Sequence, residues 1–208
     1  MSKPTELSAL DLAALLSSRV CHDVISPVGA IVNGIELMGE GGDMDGFAMD
    51  LIKNSARQAS AKVQFARIAF GAAGSAGSEI DVADAEKVAR GLIEFEKAEL
   101  EWTAPAMYLA KNRVKLLLNM LLISFHFVPR GGKIAVSVED QGNRLRIKAN
   151  GPAHRIPADL VATLNGERSP DEVDAHMVQP IYAAMLADSV GFSLSVEETA
   201  DAIQLLAE

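Results

Sequence analysis

Across residues 7–38 the apolar positions alternate at spacings of three and four. Leu7, Leu10, Ala14, Ser17, Cys21, Val24, Val28, Ile31, Ile35 and Met38 form the series, and Ser17 is its polar member. This period predicts one long helix with coiled-coil-like packing. Gly39-Glu40-Gly41-Gly42-Asp43 supplies a glycine-rich stop and turn. A second helix is predicted over 44–70, with Met49, Ile52, Ala56, Ala59, Val63, Ala66 and Phe70 as its seam. Phe47, Leu51, Ala61, Phe65 and Ile68 make a second apolar stripe beside that seam. A helix apolar on two sides must be covered on two sides. The expected solution is a homodimer in which two hairpins build a four-helix bundle. The alternative is that the C-terminal half covers the second stripe within one chain.

Residues 71–78, Gly-Ala-Ala-Gly-Ser-Ala-Gly-Ser, are small and uncharged and read as a linker. They divide the chain into a helical hairpin, 1–75, and a second domain, 76–208. In the second domain the apolar pattern changes repeatedly between helical and alternating. Asp81 can cap a helix reaching about residue 98. A short strand is expected at 100–103 and a helix at 111–128, with Val114, Leu117, Leu118, Leu121, Leu122 and Phe125 as its apolar face. Strands at 133–138 and 144–149 are joined through Gln141-Gly142-Asn143 as a hairpin. Helices follow at 158–164 and 170–190, then strands at 192–196 and 202–206. The expected fold class is α+β: an antiparallel helical hairpin followed by a two-layer α/β sandwich.

Composition narrows the chemistry. The chain has 208 residues, is 49% hydrophobic and only 5% aromatic, so its core is aliphatic. A net charge of −9 argues against sequence-independent nucleic-acid binding, which needs clustered Lys and Arg. Cys21 is the single cysteine, so no intrachain disulfide or cysteine metal site is available. His22, His126, His154 and His176 show no ligand spacing. The N-terminus lacks the order of a signal peptide. The longest uncharged run, 116–129, is shorter than the roughly 20 apolar residues a membrane span needs. A cytoplasmic protein with no membrane segment is expected.

One turn breaks the helical grammar. In Val20-Cys21-His22-Asp23-Val24-Ile25-Ser26-Pro27 a proline falls in the helix interior, where it costs about 3 kcal/mol or more. His22 is one step off the seam, so its ring should face solvent. Asp23 beside it could hold the Nδ1–H and leave Nε2 as a nucleophile. Ile25, Gly29 and Val32 share the flank and suit a docking partner. Ser26 lies one turn after His22 and Arg19 nearly one turn before; Arg19 could meet a partner's acidic pocket or only solvate the flank. Neither a serine–histidine–acid triad nor a metal pairing is evident. An exposed imidazole on a rigid bundle can accept a phosphoryl group, with metal and cations supplied by the partner. Arg144, Arg146 and Lys148 alternate on one strand face, either as a solvated face or as a contact for an acidic domain that raises association rate.

His22-Asp23-Val24-Ile25-Ser26-Pro27 resembles the H-box of sensor histidine kinases, and the hairpin resembles their dimerisation and phosphotransfer domain. Asn119-Met120-Leu121-Leu122 and the turn before Lys133 resemble the N-box region of their ATP-binding domain. Asn150-Gly151-Pro152 resembles a remnant glycine box. The departures are specific. The family's second N-box asparagine, a magnesium ligand, falls at Ile123, and its adenine-reading aspartate falls at Ala149. Ala153-His154-Arg155 replace glycines, and 175–181 shows no second glycine box. A kinase needs those features. The whole pattern resembles the alphaproteobacterial histidine phosphotransferases, a homodimeric family. The resemblance implies phosphate taken from the receiver domain of a hybrid kinase onto His22 and passed to response regulators of the cell cycle. It implies no cofactor bound by this chain, and magnesium on the receiver. The competing readings are an active kinase with unusual nucleotide residues and a non-catalytic scaffold that binds receivers.

Overall fold

The computed structural model describes residues 7–40, 45–71, 79–167, 173 and 177–208. Helix α1 runs Ala9–Glu40 and α2 runs Asp45–Ala69. Ser8 starts α1: its Oγ accepts from the Asp11 N–H at 3.1 Å and donates to the Asp11 carboxylate at 2.6 Å. That occupies one of the donors a helix start leaves over. The predicted turn at 39–43 lies mostly outside the described residues.

The two helices meet along a line displaced by one residue from the predicted seam. Leu16, Val20, Asp23, Pro27, Ala30, Gly34 and Leu37 turn inward, and Pro27 and Gly34 are buried. The cause is size. A Cβ on Gly34 would stand 2.6 Å from Ile52 Cγ1 and 3.2 Å from the Ala48 carbonyl oxygen, so glycine lets α2 come close. The larger members of the predicted seam, Leu10, Val28, Ile35 and Met38, are exposed in the single chain, as are Met49 and Val63 on α2.

The second part of the chain begins with β1 (Glu79–Asp81), capped helix α3 (Val82–Ile93), β2 (Ala98–Thr103) and β3 (Tyr108–Ala110). Asp81 caps α3 as expected, its Oδ1 accepting from the Ala83 N–H at 2.9 Å. The helix stops at Ile93 rather than near 98, because Ala98, Leu100 and Trp102 already alternate inward as a strand. Then come α4 (Lys111–Phe125), β4 (Gly132–Glu139) and β5 (Arg144–Asn150), the last two linked by a 3₁₀ turn at Asp140–Gly142. Helix α5 (Ala158–Leu164) matches its predicted bounds; α6 (Val178–Ser189) is the described part of the helix expected over 170–190. Strands β6 (Leu194–Glu198) and β7 (Ile203–Ala207) complete the set.

The main sheet has the order β2-β4-β5-β7-β6, with β2 parallel to β4 and the other pairs antiparallel. Strands β1 and β3 form a separate antiparallel pair. Gly131 makes the entry to β4: its φ is +90°, and a Cβ there would stand 2.5 Å from the Lys97 carbonyl oxygen. Leu145, Ile147 and Ala149 of β5 point into the core with Leu116, Leu117, Leu121 and Ile123 of α4. Phe65, Ile68 and Ala69 of α2 join that same apolar cluster. The C-terminal part of the second α2 stripe is therefore covered within one chain, the alternative to coverage by a second copy. The result is α+β, a helical hairpin seated on the helix layer of a two-layer sandwich.

Candidate functional site

His22 projects from the middle of α1 with its side chain 64% exposed. The flank around it is open: Ile25 is 68% exposed, Ser26 and Val32 are exposed, and Gly29 is half-buried. Pro27, one turn on, faces α2. It offers no N–H to the Asp23 carbonyl, so the helix gives up a bond next to the histidine.

Asp23 is bound from the other side. Its Oδ2 accepts from Arg19 Nε at 3.0 Å, while its Oδ1 lies 3.6 Å from His22 Nδ1. That second distance is too long for a hydrogen bond but close enough for electrostatic influence on the ring. Arg19, expected as a contact for a partner, is turned inward instead, with only 14% of its side chain exposed. The i,i+4 spacing places the guanidinium over the carboxylate, and both line the mouth of a cleft.

The cleft, about 190 Å³, runs between the hairpin and the second domain directly beneath the histidine's turn. Phe65 of α2, Phe70 just after it, and Leu92, Leu122 and Phe125 of the second domain form its apolar wall. Lys62 of α2, Glu96 from the turn after α3 and His126 after α4 bring further charge and polarity. The Glu96 carboxyl is pushed above its ordinary value, first by burial; Lys62 opposes the shift and the Asp23 carboxylate adds to it. Lys62 and Glu96 carry no signal in the sequence, because the fold alone brings them within reach of Asp23.

The strip on β5 lies elsewhere. Leu145, Ile147 and Ala149 face the helices, so Arg144, Arg146 and Lys148 lie on the opposite face of the sheet from the layer that supports the hairpin. Arg144 Nε is 2.6 Å from Glu208 Oε2, and Arg146 Nη1 is 3.0 Å from Glu139 Oε1. The strip is thus partly neutralised by its own chain, and the fold does not bring it together with the His22 flank.

The positions that resemble nucleotide motifs have structural surroundings. Ile123 and Ala149 are fully buried among core side chains. Asn119 is fully buried too; its Nδ2 donates to the Ala69 carbonyl at 3.1 Å and to the Lys115 carbonyl at 2.8 Å. It ties α4 to the end of α2. His154 Nδ1 lies 3.0 Å from the Gly151 carbonyl in the turn after β5. The absent second glycine box, expected over 175–181, falls partly outside the described residues. Among the described residues no group of three or more His, Cys, Asp or Glu gathers as a metal site.

The histidine phosphotransferase C-terminal domain, as a family model, matches residues 82–202. Over 210 aligned residues the chain is 52% identical to protein phosphotransferase ChpT of Brucella abortus (strain 2308), covering all of both chains. A solved structure of a bacterial phosphotransferase superposes with a TM-score of 0.92 at 50% identity, again over the full length of both.

Proposed function

The chain belongs to the histidine phosphotransferase family and is a protein phosphotransferase; from that premise we propose that its phosphoryl acceptor is Nε2 of His22. The carrying observation is the geometry at residue 22. A solvent-facing imidazole stands on a long helix with a carboxylate on its Nδ1 side and an open, low flank around it. A neutral ring that keeps its proton on Nδ1 presents the Nε2 lone pair outward. Attack on an aspartyl phosphate forms the N–P bond and breaks the P–O bond to the partner's carboxylate, and the ring becomes cationic. Asp23 lies on the side where that positive charge needs an anion.

The donor is the receiver domain of a hybrid histidine kinase and the acceptors are response regulators, in a multistep phosphorelay of the cell cycle. Ile25, Ser26, Gly29 and Val32 form the primary docking flank, and Arg144, Arg146 and Lys148 a second basic surface that raises encounter rate. Magnesium belongs to the receiver. This chain binds no ATP: apolar Ile123 and Ala149 stand where a kinase places a magnesium ligand and an adenine-reading acid.

A second copy of the chain covers the exposed seam of Leu10, Val28, Ile35, Met38, Met49 and Val63. Residues 9–39 are long and apolar enough, by length and composition alone, to cross a membrane. The one-sided seam fits a dimeric four-helix bundle better, since Arg19, Asp23 and His22 sit at mid-helix, where a bilayer penalises charge. That reading places the protein in the cytoplasm. The test is transfer of ³²P from an aspartyl-phosphorylated receiver. Wild type takes up label and His22→Ala does not; equal labelling of the alanine variant rejects the acceptor assignment.

A further inference from the structure

Arg19 shares the flank of His22 in sequence, yet it does not point where a partner would touch it. Its side chain is 86% covered, and its Nε donates to Asp23 Oδ2 at 3.0 Å. The carboxylate has two oxygens with two different neighbours. One is held by Arg19; the other stands 3.6 Å from His22 Nδ1. A free aspartate on an exposed helix flank rotates about χ1 and χ2 into solvent. Here the guanidinium restricts that rotation and keeps the second oxygen on the histidine's side.

The surroundings of Asp23 are charged as well. Glu96 approaches from the second domain, and the nearby Asp23 carboxylate adds to the upward push that burial gives the Glu96 carboxyl. Lys62 answers Glu96 from α2. Without Arg19, Asp23 Oδ2 would lose the donor that holds it at 3.0 Å. Pro27 adds a local reason, because the helix is one N–H short at the Asp23 carbonyl.

We propose that Arg19 is a positioning residue of phosphotransfer, holding Asp23 so that its free oxygen faces His22 Nδ1. The inference rests on His22 as the acceptor. During transfer the electron pair of Nε2 forms the bond to phosphorus, and the partner's aspartate leaves with the electrons of the broken P–O bond. The Nδ1 proton stays on the ring, which becomes cationic. Asp23 stabilises that cation only if it is in place when the charge develops, so Arg19 acts on the rate of the chemical step and not on capture of the partner. A 1 Å misplacement of such a group costs up to about 100-fold.

The experiment is single-turnover transfer from an aspartyl-phosphorylated receiver domain, titrated against wild type, Arg19→Met, Arg19→Lys, Asp23→Asn and the Arg19→Met/Asp23→Asn pair. The Met variant should lower the limiting rate roughly ten- to 100-fold and leave the half-saturating receiver concentration within about twofold. The Lys variant should recover part of the loss. In the Asp23→Asn background, Arg19→Met should cost nothing further, as coupled residues require. Imidazole ¹⁵N shifts of His22 in the free protein should show the Nδ1–H tautomer of wild type giving way to a mixture in Arg19→Met. A raised half-saturating concentration with an intact limiting rate would make Arg19 a partner contact and overturn the proposal. So would an equal loss in the Asp23→Asn background, or an unchanged tautomer. If wild-type His22 takes no label at all, the acceptor assignment fails and this inference falls with it, whereas normal labelling with uncoupled Arg19 and Asp23 overturns the inference alone.

Discussion

Helices α1 and α4 show opposite ways of using apolar residues. Helix α4 has 15 residues, and ten of them are buried, Val114 through Leu121 without a break. Beyond its polar first turn it is mostly apolar, and it packs against β5, α6 and the end of α2. Helix α1 has 32 residues, yet among its described residues only Pro27 and Gly34 are buried in the single chain. Leu10, Ile25, Ile35 and Met38 lie outside. The second domain therefore closes its core with the end of α2, whereas the rest of the hairpin leaves large apolar side chains exposed in the single chain. The lesson is about division of labour. In the proposed account the second domain serves as a support, and the phosphoryl-accepting turn sits on the hairpin, the part whose apolar side chains are left exposed.

The largest expected effect breaks the unfinished side. Val28→Glu with Ile35→Glu places two charges in the proposed dimer seam, where an unpaired buried charge is strongly disfavoured. Sedimentation velocity should show monomers at micromolar concentration, while Ile25→Glu on the docking flank leaves the dimer intact. A dimer that survives the double change would mean that another surface joins the subunits. Next in size, Leu117→Ala in the closed domain should lower unfolding free energy by about 2–5 kcal/mol through loss of burial and a residual cavity. Denaturant titration at fixed protein concentration reads it, and the dimer affinity should stay unchanged.

A smaller effect tests the joint between the two regions. Asn119→Ala removes two hydrogen bonds, one of them to Ala69 across the hairpin junction, but it also removes a buried Oδ1 that has no hydrogen-bond partner. The net loss should be near 1 kcal/mol, with increased hydrogen exchange at the end of α2. The smallest is Glu96→Gln. Because folding raises the Glu96 pKa, chiefly through burial, the folded state disfavours the charged form. Stability from this group is fully present below the ordinary glutamate pKa and is lost as pH rises through the raised value. The Gln variant should therefore be slightly more stable than wild type at neutral pH and lose that advantage in acid, as read by thermal melts across the acid range.

Much of this was legible in the sequence, for reasons that differ by element. Helix α5 and the β4–β5 hairpin declared themselves through clean periodicity between turn residues, and Asp81 announced α3. The exposure of His22 followed from its place one step off the seam. What failed were contacts that depend on size and distance. The predicted seam of α1 is not the line that meets α2: Leu10, Val28, Ile35 and Met38 are exposed, because Pro27, Ala30 and Gly34, spaced three and four apart, let α2 approach on the neighbouring line. Those small residues were the available signal. Strands β1 and β3 are three residues each, too short for a periodic pattern. Glu96 and Lys62 reach the site only through tertiary packing. Arg19 was visible, but its inward turn depends on the cleft that the second domain creates.

The central claim is that His22 receives its phosphoryl group from another protein and not from nucleotide. The direct measurement uses the ¹⁵N-histidine-labelled protein, incubated with an aspartyl-phosphorylated receiver domain in the absence of ATP and followed by ³¹P NMR. The account predicts a phosphoramidate resonance split by coupling to His22 Nε2. A phosphoryl signal at any other residue, or one on His22 that appears with ATP and no receiver, would contradict it.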